Sequence, residues 1–183
     1  MIKSTCVSFL GTAIVAGCFA FSGFANGATA VESDQVSGLL SNAETQAFQL
    51  KADADTLERY SRSNTSWESH ADAVNRIKED VNRMGELLNR LEQSRSEAAP
   101  WQQVAIDRVL PLAKELAANT TAAINHLNQS PRRLNAPNYQ EYLEAIADSA
   151  ANLSSTIKDF VDYGKTKQRL DRLTAKLELP AAK

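Results

Sequence analysis

The feature that most constrains this chain is a spacing. From Val36 to Leu177 apolar side chains recur at alternating intervals of three and four residues, gathered into four long blocks. That period stacks successive apolar groups on one stripe of an α-helix, whereas a strand would scatter them over both faces. Block one carries the stripe at Val36, Leu40, Ala43, Ala47, Leu50, Ala54 and Leu57, with Leu39 and Phe48 widening it. Block two runs through Trp67, His70, Val74, Ile77, Val81, Met84, Leu88 and Leu91, leaving Glu79 to Arg83 and Glu86 to Arg90 for a charged solvent face. Block three holds Ile106, Leu110, Ala113, Ala117, Thr120, Ile124 and Leu127, with Val109, Leu112, Leu116 and Ala123 alongside. Block four follows Tyr139, Tyr142 or Leu143, Ile146, Ala150, Leu153, Ile157 and Phe160, then thins to Leu170, Leu173 and Leu177.

Punctuation between the blocks sets the topology. Thr65 with Glu68 and Asn138 with Glu141 have capping-box spacing, which places helix starts near each; the first stripe begins at Val36, but Gly38 weakens its early turn and Ser41 with Glu44 has the same spacing, which leaves open a later start for the stable part of that helix. The first helix is expected to end between Ser61 and Ser63. Pro100 suits the first position of the third helix, where its missing N–H has no partner to lose. Pro111 falls inside the third stripe and predicts a kink near Asp107 in a helix that continues. Ser130 to Pro137 reads as a loop. Short connections demand antiparallel neighbours, so the fold class is all-α: an up-down-up-down four-helix bundle with coiled-coil-like packing. A two-plus-two dimer of helical hairpins uses the same pattern. The fourth helix, at about 40 residues, would be roughly 60 Å long against about 45 Å for the others. It must bend at Gly164 or project past the bundle until Pro180 closes it, leaving residues 180–183 as a tail. A projecting Leu170, Leu173 and Leu177 edge would suit docking of a partner protein or a second copy.

Ahead of the first block lies a different kind of sequence. Lys3 precedes an apolar run from Cys6 to Phe24, and Ala28-Thr29-Ala30 has the small-x-small form of a signal-peptidase site. Residues 1–30 are therefore read as a signal peptide, with the mature domain spanning 31–179 and no mature transmembrane segment. Val15-Ala16-Gly17-Cys18 resembles a lipobox, which would make Cys18 an acylated first residue, but the chain stays apolar after it. Both cysteines, Cys6 and Cys18, lie within this leader. A mature chain without thiols excludes disulfides and thiolate chemistry. The expected location is periplasmic or secreted. Net charge is −2, with signs interspersed, which provides no electrostatic footprint for nucleic acid and no polybasic membrane stretch.

Chemistry-bearing residues are sparse. His70 and His126 stand at equal distances from a turn centred at Ala98, so antiparallel helices bring them level, in an end layer with Trp67, Tyr142 and Glu58. Such a pair could hold haem b or a transition-metal ion, making the protein a small-ligand carrier. The plainer alternative is a structural polar layer, hydrogen-bonded to Glu58, Tyr142 or a backbone carbonyl. Met84 lies about four turns from His126, so the two could not share one iron; it reads as core filling. Neither histidine follows a Glu by three positions, which excludes a ferritin-like di-metal site, and phosphate loops and nucleophile elbows are lacking. Arg132 and Arg133 could grip an anion or simply solubilise their loop. Trp67 and Trp101 are expected to seal the ends of the core. With no cofactor expected and no catalytic constellation, the sequence points to a non-enzymatic envelope protein that binds or scaffolds another envelope protein or itself.

Overall fold

The computed structural model describes residues 32–63 and 65–178. The expected signal peptide with Cys6 and Cys18, the expected mature start at Val31, and Pro180 with the tail lie outside the described residues. Four helices follow in order: α1 Asp34–Ser61, α2 Trp67–Gln93, α3 Pro100–Gln129 and α4 Pro137–Lys176. A single 3-10 turn, Arg95–Glu97, joins α2 to α3. Each helix packs against its neighbours in sequence, and α4 closes the ring onto α1, so one chain completes its own up-down-up-down bundle. The core runs the length of that ring and draws on all four helices, from Val36 and Leu50 through Ile77 and Met84 to Ile106, Leu116, Ile146 and Leu153.

The α1 stripe is buried at every expected position together with Leu39, but Phe48 is 71% exposed and widens nothing. In α3 the deepest line is Ala105, Ile106, Val109, Leu116, Thr120, Ala123 and Leu127, while Leu110, Ala113, Ala117 and Ile124 are only partly buried. The helix is thus turned by one position from the face drawn through Leu110 and Ala117. Alanine-rich flanks make both lines nearly equal in the sequence, and contact with α4 decides between them. Thr120 is tolerated there because its hydroxyl donates to the Leu116 carbonyl at 2.8 Å. The helix runs unbroken through Pro111, whose ring lies on the solvent side where water can reach the carbonyl it leaves without a partner.

The caps differ from those expected. Ser33 caps α1, accepting from Val36 N–H, so the helix starts before Ser41. Ser66, not Thr65, caps α2 through Ser69 N–H. Helix α4 begins on Pro137 with Ala136 at its cap, and the Asn138 side chain accepts from Tyr139 N–H. At the start of α3 a buried glutamine performs the capping work. Gln102 Oε1 accepts from Ala99 N–H at 2.8 Å and Ser33 N–H at 3.2 Å, while its Nε2 donates to the Ser33 carbonyl and the Ser37 hydroxyl. All of its hydrogen-bonding capacity is used, which stitches the start of α1 to the start of α3.

Helix α4 is continuous through Gly164 and does not need the glycine for a bend. A methyl group at residue 164 would stand 2.7 Å from Cη2 of Trp101, so the glycine exists to let the indole lie against the α4 backbone. Trp101, partly buried and edge-on to Tyr163 with ring centroids 5.4 Å apart, closes that end of the core as expected. Trp67 does not: it is exposed at the start of α2.

Candidate functional site

At the end of the bundle where α1 meets α2 and α3 meets α4, the level placement of the two histidines is realised through a third residue. Tyr139, fully buried on the first turn of α4, touches both imidazoles. Its ring stacks on His126 with centroids 4.8 Å apart and planes at 16°, and its hydroxyl lies 3.1 Å from His70 Nδ1. Tyr60 meets the other side of His70 edge-on, at 5.8 Å. The end layer is therefore Tyr60, His70, Tyr139 and His126. Trp67 is exposed and Glu58 pairs with Arg62, so neither belongs to it.

The electrostatics of this layer follow from burial. Removing His70 from water disfavours its charged form and lowers its pKa, while a backbone hydrogen bond to Tyr60 acts more weakly the other way. Burial likewise pushes the Tyr139 hydroxyl far up, so it stays protonated. The protonated phenol and the neutral imidazole share one hydrogen bond at Nδ1, its direction set by the imidazole tautomer. His126 places Nε2 3.0 Å from the Arg133 backbone carbonyl, which pins the loop ahead of α4. One nitrogen of each ring is thus engaged in holding the structure, and Tyr139 is the contact the two share. Among the described residues, no three His, Cys, Asp or Glu side chains gather as a metal ion would require. Arg132 and Arg133 are exposed on the loop.

A second buried polar group was hidden in the sequence. Asp80 on α2 is 1% exposed, although Glu79 to Arg83 read as solvent face. Its Oδ1 accepts from Gln46 Nε2 of α1 at 3.0 Å and from Arg83 one turn on. Its Oδ2 is buried without a partner. Desolvation is the main cause that raises its pKa; Asp53 of α1 adds to the rise, and Arg83 and Gln46 oppose it. The signal was present, since Ala73, Ile77, Asp80, Met84 and Leu88 keep three-and-four spacing, but Val81 beside it masked the phase. Val81 is in fact only partly buried.

A cleft of about 310 Å³ opens near the other end, lined by Glu32, Ser37, Trp101, Gly164 and Lys165 among others. Its charges are already occupied: Glu32 accepts from Ser37 and Gln168, and Lys165 stands 3.5 Å from Glu44. No free charge there directs a ligand.

The remaining candidate is the edge of α4. Val161 and Gly164 are its last buried residues, and Gln168 is bonded to Glu32 beside the start of α1. The helix then continues to Lys176 beyond the other three. Leu170, Leu173 and Leu177 are 53%, 45% and 61% exposed, and Tyr163, one heptad before Leu170, is 53% exposed. With Thr166 these form a line at three-and-four spacing on the side of α4 opposite Val161, Gly164 and Gln168. Helix α4 is thus two-faced here, one stripe feeding the core and the other meeting water. No helix among the described residues is long and apolar enough to cross a membrane. Comparison with protein-family models, curated proteins and solved structures finds no match to the chain.

Proposed function

We propose that this protein is an exported, non-enzymatic helical bundle that serves the cell envelope as a binding or scaffolding module, using the outward edge of α4 as its docking surface. One observation carries the reading. The chain continues α4 past the bundle and lines its outer face with Leu170, Leu173 and Leu177, none of them buried in the described fold, next to Tyr163, which is half exposed while its ring rests edge-on against Trp101. Exposed apolar groups aligned over two heptads mark interaction sites, whereas single exposed ones need no explanation. The leader at residues 1–30 supports export to the periplasm or outside. The engagement of both histidines in the end layer supports a structural role for them.

The test is site-specific photocrosslinking in the native cell. A photoreactive residue replacing Leu173 should produce a discrete adduct larger than the monomer, while the same residue replacing Arg76, on the exposed face of α2, should produce none. Equal or absent crosslinking at the two sites would sink the reading.

A further inference from the structure

The charges that border the outward stripe of α4 identify the kind of partner it fits. In heptad terms Tyr163, Leu170 and Leu177 occupy a positions and Thr166 and Leu173 occupy d. The flanking e and g positions beyond Gly164 are Lys167, Arg169, Thr174 and Lys176, so every charged flank there is a cation. Arg169 and Lys176 make no ion pair among the described residues. Over the preceding heptad the same line is polar, at Thr156 and Asp159, so the stripe starts at Tyr163 and belongs to the free end of the helix.

Resting on the docking role proposed above, we infer that this edge receives an acidic amphipathic helix of another protein, with carboxylates facing Arg169 and Lys176, which hold no ion pair among the described residues, across a leucine seam that Lys167 also flanks. A second copy fits poorly. Antiparallel pairing sets g against g, so Arg169 of one copy meets Arg169 or Lys176 of the other, and the one attraction this offers, Asp162 with Lys176, would take Asp162 from the Lys158 it already holds. Parallel pairing sets Arg169 against Thr174 and runs two positive ends side by side within a Debye length. Its one attraction, Asp162 with Lys167, would require both groups to leave partners they already hold, Lys158 and Asp171. An anionic lipid surface fits less well than a helix. The large apolar groups keep to a and d, the narrow seam of a coiled coil, where a helix lying in a membrane interface presents a broad apolar face. Carboxylate flanks on a partner would supply both attraction and register, and they would exclude self-association by the same charges.

The test turns the protein into its own partner. A charge-reversed form of the whole bundle, Lys167→Glu with Arg169→Glu and Lys176→Glu, has acidic flanks on the same seam. Sedimentation of wild type and reversed form should show each monomeric alone and a one-to-one heterodimer in the mixture. The heterodimer should dissociate at roughly 1 M salt, where screening shortens to ~3 Å. Circular dichroism checks that reversal leaves the bundle folded. Adding Leu170→Ser and Leu173→Ser to the reversed form, both at exposed positions, should abolish the heterodimer without unfolding it. Dimerisation of wild type alone overturns the acidic-helix inference while leaving the docking edge intact. So does binding of wild type to phosphatidylglycerol vesicles with no association in the mixture. No association in any arm overturns both.

Discussion

His70 and Asp80 lie on the same helix, each only 1% exposed, yet acid acts on them in opposite directions. The fold holds His70 neutral by burying it, so its folded pKa lies below the ordinary value of about 6.5. Stability from this group is complete above about pH 6.5 and is lost as pH falls below it, because the unfolded chain then takes up a proton the fold refuses. Asp80 has a raised folded pKa, so the fold accepts its proton more readily than the unfolded chain does. Its charged form costs stability at neutral pH, and that cost is relieved as pH falls through the raised pKa towards about 4. Urea unfolding across pH 7 to 4 separates the two. His70→Gln should flatten the decline that begins below pH 6.5. Asp80→Asn should be more stable than wild type at pH 7, with the advantage shrinking towards pH 4; a variant less stable at pH 7 would mean that Arg83 and Gln46 outweigh desolvation. The sequence placed His70 on the stripe and level with His126, but it could not show Tyr139 joining them, because that contact depends on the rotation of α4 against two other helices. Asp80 was illegible for a related reason: rotation of α2 chose it over its apolar neighbour Val81.

Among the helices, the glycines separate local preference from packing. Gly85 of α2 has open space where a methyl group would stand, whereas Gly164 of α4 has the Trp101 ring. Alanine is worth up to about 1 kcal/mol over glycine in a helix interior. Gly85→Ala should therefore raise stability by about 0.5–1 kcal/mol. At residue 164 the same gain is opposed by overpacking, typically about 1–3 kcal/mol, so Gly164→Ala should be net destabilising by about 1 kcal/mol. It should also shift tryptophan fluorescence as Trp101 is displaced. A stabilised Gly164→Ala with unchanged emission would refute the packing role. The helices themselves were legible because a three-and-four spacing sustained over so many residues admits little else. Their starts were less so: Ser33, Ser66 and Ala136 are the caps, where Ser41, Thr65 and Asn138 had the expected spacing. Capping boxes recur by chance in Ser-, Thr- and Glu-rich sequence, and neighbouring helices select the start that buries the stripe.

For the molecule as a whole, the ring of four helices followed from short connections, and the length of α4 from its uninterrupted pattern. What could not be read was which way the last leucines face, since direction requires knowing which side of α4 the bundle occupies. That side holds Val161, Gly164 and Gln168, so the leucines face out. Leu170→Ser, Leu173→Ser and Leu177→Ser together should then change unfolding free energy by no more than about 0.5 kcal/mol, as expected for surface positions. A larger loss in urea unfolding would place the stripe within the fold. The single rod of α4 also has a mechanical consequence. Because the free end shares one unbroken backbone with a helix gripped along most of its length by α1 and α3, it has no hinge to swing on. Whatever clasps it is held at a fixed bearing to the rest of the protein, and a tug there loads the bundle as a handle loads a blade.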